Sequence, residues 1–449
     1  MLMPDNSVFV KVENPNMAPD RTKNARLPMA ERLTTFQEVE QTYTEEEALR
    51  EASRCLGCPS RWCSKECPAG MPVPEFIRKV REKDYEGAYE LISSASPLPE
   101  FCSRLCPQEK QCQSNCTRSI RSEAVGIGRL ERFVVEQHYL SGQEAKAVPS
   151  TGKRVAVIGS GPASLVVAIK LALAGVDVTV FERQPDVGGV LRYGIPEYRL
   201  PKTLVSKYRD RLTDLGVRVR PNTTIGETIT IEDLFRDGYD AVFVGTGTWR
   251  AKTAGVAGET GGNVLFGMDY LVSPETCSIG QRVAVIGAGN TAMDVARTAF
   301  RQGAREVTVY ARSKHVSASS DELEYALLDG CELVQGKAIC EINERGPVFR
   351  TAIFDADDKV AGYENELDQV ECDTVIVAVS QKPANRLIAT TDGLEADERG
   401  LLVVDETGQT SVPGVFAAGD VVTGPNTVVH AVAATKIAVE GMLEHMGVA

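Results

Sequence analysis

Two stretches of this chain share one grammar, and that repetition limits the possible folds more than any other feature. GKRVAVIGSGPASLVVAIKLALAGVDVTVFER starts at Gly152, and GQRVAVIGAGNTAMDVARTAFRQGAREVTVYAR starts at Gly280. In each, the run VAVI reads as a buried parallel strand. A glycine turn follows, then a helix with apolar residues at helical spacing, then a second strand. The first turn is Gly159-Ser160-Gly161-Pro162-Ala163-Ser164 and the second is Gly287-Ala288-Gly289-Asn290-Thr291-Ala292. Strand, turn, helix and strand in this order make the dinucleotide-binding fingerprint. Its glycines let the backbone approach a pyrophosphate, and the helix N-terminus supplies partial positive charge to it. The third glycine position, which serves close helix–strand packing, holds the small residues Ser164 and Ala292.

The two copies differ at the end of the second strand. VTVFER places Glu182 about twenty residues beyond the turn, where a carboxylate accepts hydrogen bonds from ribose hydroxyls. VTVYAR has Ala311 there, followed by Arg312 and then Lys314. Losing the carboxylate removes repulsion against a 2′-phosphate, and Arg312 offers that phosphate a bidentate partner. The second cassette therefore reads as an NADP site rather than an NAD site. Two cassettes imply two nucleotides, or one nucleotide and one dead copy.

Eight of the twelve cysteines lie between Cys55 and Cys116, and CLGCPSRWCSKEC alone packs four into thirteen residues. The isolated Cys277, Cys331, Cys340 and Cys372 read as buried small hydrophobes. MLMPDNSVFVKVENPNMAPD lacks a basic segment followed by an apolar one, so no secretory signal is expected. That points to the cytoplasm, where thiols stay reduced and a disulfide framework is disfavoured. The cluster then reads as zinc ligands or as ligands for an electron carrier. A net charge of -13 argues against nucleic acid. The most apolar stretch, VVAIKLALAGVDVTVF, is interrupted by Lys170 and Asp177, so no membrane insertion is expected. At 449 residues the chain calls for two to three domains.

A third signal lies in GVFAAGDVVTGPNTVVHAVAATKIAVEGM, where a strand ends in Gly419-Asp420 and a helix begins near Thr427. The two cassettes with this AAGD stretch resemble the flavoprotein reductases in which an NAD(P) domain is inserted into an FAD domain. DVGGVLRYGIPEYRLPK, GAGNTAMDVARTAFRQGA and the cysteine region resemble, more narrowly, the glutamate synthase small (beta) subunit group. That group includes the large subunit of NADH-dependent ferredoxin:NADP oxidoreductase, a bifurcating transhydrogenase, and the N-terminal half of dihydropyrimidine dehydrogenase. The resemblance covers nearly the whole chain beyond about residue 35.

The resemblance implies FAD, NADP(H) and two [4Fe-4S] clusters. It assigns Cys55, Cys58, Cys63 and Cys116 to one cluster, and Cys67, Cys106, Cys112 and Glu131 (in GIGRLERF) to the other. Cys102 is then left over as a buried neighbour, and Ser103 stands where relatives often have glycine. For FAD it implies Gly159, Ser160, Gly161, Ala163, Glu182, Gly188, Gly189, Gly419 and Asp420, with Arg192, Tyr193 and Gly194 lining the flavin and Thr427 at its pyrimidine edge. For NADP it implies Gly287, Gly289, Asn290, Thr291, Arg312 and Lys314. His430 reads as a structural histidine.

The expected fold is α/β: two Rossmann-like dinucleotide domains, NADP inserted in FAD, after a mainly α-helical iron–sulfur domain. Residues 1–150 form the cluster domain, 151–272 with 375–449 the FAD domain, and 273–374 the NADP domain. The sheets are expected to be parallel with helices outside, and the polar Pro/Asn-rich start to be disordered or to wrap a partner. The function expected is an NADPH-linked oxidoreductase subunit. It passes electrons to a redox partner subunit, in a flavin-based electron-bifurcating ferredoxin/NADP transhydrogenase or, alternatively, with a glutamate synthase large subunit. A reading of another class is a zinc-binding nucleotide-sensing interaction module. A disulfide reductase is disfavoured, because neither nucleotide domain contains C-x-x-C.

Overall fold

The computed structural model describes residue 12, residues 14–141 and residues 146–448. Its first part is helical, as the sequence leads one to expect. Thr44 closes a capping box with Glu47 and starts the helix Glu45–Ala52. In the helix Val73–Arg81 the buried residues are Val73, Phe76, Ile77 and Val80, one stripe at helical spacing. Burying each such side chain stabilises by about 1.5–3 kcal/mol. The helix Tyr85–Ala95 starts on Asp84, which accepts from Gly87 N–H, and the long helix Ile127–Ser141 closes the bundle.

The expectation of a disordered or partner-wrapping start falls largely on residues outside the described ones. Residues 14–28 pack against their own domain. Asn16 N–H donates to Ser53 O at 2.9 Å, and Glu123 N–H donates to Pro19 O at 3.0 Å. Arg54 is 1% exposed and ties these pieces together. Its guanidinium donates to Pro19 O at 3.0 Å, Glu123 O at 2.7 Å and Ala124 O at 3.2 Å. Lying directly before Cys55, it locks the first cysteine run to the chain just past the second.

Two five-stranded parallel sheets follow, alike in their cassette strands but closed at one edge by the last strand of the first unit and by the first strand of the second. The first runs Val415–Ala417, Ala241–Val244, Arg154–Ile158, Asp177–Phe181, Arg218–Arg220. The second runs Val264–Phe266, Thr374–Val377, Arg282–Ile286, Glu306–Ala311, Glu332–Gln335. The central pairing repeats: Ile158 faces Phe181 and Ile286 faces Tyr310. Insertion of the second unit into the first is visible where its two connections meet, Arg250–Ala251 pairing antiparallel with Gln381–Lys382.

Two expectations need correction. The domain boundaries at 273 and 374 fall inside the second sheet, whose edge strand Val264–Phe266 and inner strand Thr374–Val377 extend the inserted unit at both ends. Neither strand carries a glycine signal, so only pairing reveals its sheet. Nor are the sheets all parallel with helices outside. An antiparallel three-stranded sheet, Lys337–Asn343, Gly346–Phe354 and Val360–Gln369, packs Ile342 and Phe349 against Ala284, Ile286, Val375 and Val377 on one face of the second sheet. Of the isolated cysteines, Cys331 and Cys372 are buried as expected, while Cys277 and Cys340 are half-buried. Among the described residues no helix is long and apolar enough to cross a membrane.

Candidate flavin, nicotinamide and iron–sulfur sites

Both fingerprint turns sit at the carboxyl ends of central parallel strands, where open α/β sheets bind ligands. The first opens into a cleft of about 1270 Å³, open solvent included, walled by Gly159, Ser160, Gly161, Ala163, Glu182, Gly189, Asp420 and Thr427. Gly161 leaves room for a cradle: its Cβ, if present, would meet nothing within 4 Å and would project into open space. At Gly189, with φ +52, a Cβ would stand 2.7 Å from Gly161 Cα, so only glycine allows this approach. The serine at the third fingerprint position is accommodated from the other side. Ser164 is fully buried, and a Cβ on Gly245 of the neighbouring strand end would lie 2.1 Å from its Oγ.

Glu182 is 5% exposed. Its Oε2 accepts from Ser160 Oγ at 2.5 Å and its Oε1 accepts from Gln184 N–H at 2.8 Å. Ser160 Oγ also accepts from Gly188 N–H at 3.0 Å, so acid, turn and following loop are braced as one unit. Asp420 accepts from Asn426 N–H at 3.2 Å, and burial pushes its carboxyl up to about 7. Thr427 precedes the helix Val428–Met446 without a side-chain capping bond, and its Oγ1 lies 2.6 Å from His430 Nδ1.

The structure does not bring every candidate to the cleft. Gly188, Arg192, Tyr193, Gly194 and Gly419 lie outside its wall. Arg192 donates to Val187 O and Ser206 Oγ, both at 2.9 Å, and pairs with Asp186 at 3.1 Å. Tyr193 Oη accepts from Asp186 N–H at 3.0 Å. These residues hold the loop shape that presents Gly189 and Val190. A Cβ on Gly419 would approach Ala163 Cβ at 2.9 Å, so that turn closes onto the first cassette helix. The sequence reading missed further lining residues: Arg183, Thr246, Gly247, Thr248, Trp249, Gln381 and Arg386. Their one legible signal was GTGT following the buried strand Ala241–Val244.

At the second cassette, a Cβ on Gly287 would stand 2.4 Å from Ala378 O, while one on Gly289 would meet only Ser317 Oγ at 3.5 Å. Asn290 Oδ1 accepts from Ser319 N–H at 2.8 Å, and Thr291 is half-buried on the helix Asn290–Arg301. The backbone in front of the turn is therefore open to a phosphate, as an NADP site requires. Arg312 is exposed at the end of the second strand, without an ion-pair partner among the described residues. Lys314 pairs with Asp358 and lies over the Phe354 ring at 4.9 Å.

The eight clustered cysteines separate into two cavities. Cys55, Cys58, Cys63 and Cys116 line one; Cys67, Cys106, Cys112 and Glu131 line the other, with Cys102 in the same wall. Val73 and Ile127 line both. Burial pushes the Cys55 thiol up to about 11 and Cys63 up to about 12, with cysteines of the same set adding repulsion. Burial likewise holds Cys112 well above the ordinary thiol range. A bound cation's charge is what converts such crowded thiols to thiolates. Glu131 is 7% exposed, and its Oε1 has no hydrogen-bond partner. Burial, then Cys102 and Glu100, raise its carboxyl well above the usual range. Buried polar atoms are rarely left unpartnered, and ligation to a metal cluster would resolve this one. Among the described residues no three His, Cys, Asp or Glu converge tightly enough to hold a single metal ion. Each cysteine set lines a cavity, as ligands of a multi-iron cluster would.

Cradle, second cassette and cysteine cavities together define an iron–sulfur flavoprotein oxidoreductase working with a pyridine nucleotide. Comparison with known proteins agrees. The family described as dihydropyrimidine dehydrogenase domain II, 4Fe-4S cluster, matches residues 32–143, and the family pyridine nucleotide-disulphide oxidoreductase matches residues 153–435. The chain is similar to the glutamate synthase (NADPH) small chain of Escherichia coli strain K12, with 34% identity over 95% of this chain and 98% of that one. It is also similar to the NAD-dependent dihydropyrimidine dehydrogenase subunit PreT of the same organism, with 33% identity over 91% of this chain and 97% of that one. Mycobacterium tuberculosis FprA in complex with NADPH shares the fold, with a TM-score of 0.55 and 20% identity over 67% of this chain and 85% of that one. The chain thus belongs to the pyridine nucleotide-disulphide oxidoreductase family, in the group of glutamate synthase small chains and their relatives. Its cofactors are FAD, NADP(H) and [4Fe-4S], which overturns the zinc-module reading.

Proposed function

We propose that this chain is the NADPH-linked subunit of a cytoplasmic redox complex, moving electrons between NADP(H), FAD and two [4Fe-4S] clusters to a partner subunit. One observation carries the proposal. Val428 lines the flavin cleft, and its neighbour Val429 lines the cavity of Cys67, Cys106, Cys112 and Glu131. The start of that helix therefore lies between the two sites, and Val73 and Ile127 line both that cavity and the next. Neighbouring residues thus link each site to the next.

FAD exchanges electrons in pairs with a nicotinamide and singly with iron–sulfur clusters, and that chemistry is its own. The protein's part is to hold and insulate. Gly161 and Gly189 give the pyrophosphate room, and Glu182 anchors the ribose. Asp420, at the start of the short helix Asp420–Thr423, and Thr427, just before the last helix, face the cleft. Gly287, Gly289, Asn290 and Thr291 receive the second pyrophosphate, and Arg312 selects the 2′-phosphate. The Val428–Val429 turn keeps water out of the path.

Two partners are consistent with this arrangement. The carboxylate at Glu131 favours a ferredoxin- or NAD-linked subunit in a bifurcating transhydrogenase, whereas near-full-length similarity to the E. coli small chain favours a glutamate synthase large subunit. The test is anaerobic purification with iron and flavin quantification, and spectra before and after NADPH or NADH. About eight irons and one FAD per chain, bleached by NADPH and much less by NADH, is the expected result. Flavin that NADPH leaves oxidised, or iron-free protein, would refute the proposal. Assaying the purified complex for ferredoxin reduction and for glutamate formation separates the two partners.

A further inference from the structure

The loop that joins two cluster-lining cysteines also reaches the nicotinamide domain. Cys106-Pro107-Gln108-Glu109-Lys110-Gln111-Cys112 has a short 3-10 turn at its tip, Gln108–Lys110. Glu109 Oε1 accepts from Ser320 N–H at 3.3 Å, and Lys110 Nζ donates to Ala318 O at 3.3 Å. Residues 317–319 in turn support the second fingerprint turn. Ala318 N–H donates to Ala288 O at 3.0 Å, Ser317 Oγ donates to Ala288 O at 3.2 Å, and Ser319 N–H donates to Asn290 Oδ1 at 2.8 Å. One residue of backbone therefore separates the ammonium of Lys110 from the peptide that receives a nucleotide phosphate. Along its own loop, Lys110 is two residues from Cys112.

We propose that Lys110, with Glu109 as its anchor, is a positioning residue that couples nucleotide occupancy to the charge on the neighbouring cluster. This rests on the reading that Cys106 and Cys112 ligate a cluster and that the second cassette binds NADP(H). A bound nucleotide brings its phosphate charges to the Ala288–Asn290 turn, and reduction adds one negative charge to the cluster. Both sites compete for the same flexible cation, which can move toward one only by leaving the other. The sign follows: the nucleotide makes the cluster harder to reduce, and by linkage a reduced cluster binds the nucleotide less tightly by the same factor. An electron that has reached the cluster thereby helps to release the spent nucleotide.

Lys110 is exposed, and a single exposed contact contributes little to stability, so its variants are expected to fold. The full-length holoenzyme is titrated with dithionite under electron paramagnetic resonance, with and without saturating 2′-phospho-ADP-ribose, which has the phosphates of NADP but no reducible ring. A fivefold coupling, at the low end of the usual range of about 5- to 150-fold, lowers the midpoint of one cluster by about 41 mV, at about 59 mV per tenfold for one electron. The same probe binds the reduced enzyme about fivefold more weakly. Lys110→Arg keeps the shift and Lys110→Ala loses it. An unmoved midpoint in the wild type, or a full shift in Lys110→Ala, overturns the coupling. Iron content separates the failures: protein without clusters sinks the functional reading as well, whereas clusters present and unshifted sink the coupling alone.

Discussion

Replacing Gly161 by alanine separates the flavin cradle from the fold that carries it. Gly161 has φ −68 and ψ −176, open to any residue. A Cβ built there meets no atom within 4 Å. With neither strain nor clash, the flavin-free protein is expected to keep its stability to within about 0.5 kcal/mol, as an ordinary surface substitution does. The methyl instead enters the space through which the pyrophosphate must approach the turn. Loss of one hydrogen bond to that charged group costs about 1.5–3 kcal/mol, which at about 1.4 kcal/mol per tenfold is a roughly 10- to 150-fold weaker FAD complex. Gly189→Ala is the contrast. Its Cβ would press on Gly161 Cα at 2.7 Å with φ +52, so backbone strain of about 1–3 kcal/mol is added to the loss of flavin. The assay is fluorescence titration of deflavinated protein with FAD, paired with thermal melts without FAD. A Gly161→Ala protein that binds FAD like the wild type, or that melts as early as Gly189→Ala, would refute the assignment of this turn as the cradle.

Other outcomes follow from the same geometry. Glu131→Ala, which removes a buried carboxylate facing Cys67, Cys106 and Cys112, is expected to lose about half of the iron while Glu131→Cys retains it, as counted by iron analysis. Arg312→Ala is expected to raise the KM for NADPH about tenfold, one charge-assisted contact's worth, and leave that for NADH unchanged; Lys314→Ala, whose ammonium already pairs with Asp358, moves it less. Asp420 gives a pH signature. Burial raises its carboxyl from 3.8 to about 7, so between those values the folded chain keeps a proton that the unfolded chain has released, and stability falls as pH rises through that window. Melts of the flavin-free protein across this window should show that slope in the wild type and a flatter one in Asp420→Asn.

How much was legible depended on how local each signal was. Both cassettes could be read because strand, turn and helix are consecutive, and the chemistry of a phosphate turn is written in a few residues. The edge strand Val264–Phe266 and the inner strand Thr374–Val377 were misassigned because a strand's sheet is decided by distant partners, here 111 residues apart for Val264 and Val375 and 91 for Val283 and Thr374. The antiparallel cover of the second sheet was unread for the same reason. Gly161 and Glu182 line the cleft as the fingerprint leads one to expect, whereas Arg192 and Tyr193, expected there from the family resemblance of the GGVLRYGIP stretch, lie outside its wall. Their side chains satisfy Val187, Ser206 and Asp186 instead. Trp249 and Arg386, from distant loops, complete the cleft without a motif of their own.

The sequence by itself determined the chemistry available: two pyrophosphate turns, an alanine followed by an arginine where the first cassette has its ribose-binding acid, and cysteines too crowded for isolated core positions. Those are properties of residue type and short spacing, which backbone geometry imposes without help from the rest of the chain. Only the tertiary structure decided which cysteines share a cavity, that Glu131 stands among them, and that Val428 and Val429 face two different sites. It also decided that the Glu109–Lys110 loop meets residues 318–320, over two hundred positions away. Contacts of that kind arise when separate apolar cores pack together, and burial, not local spacing, selects the side chains that meet.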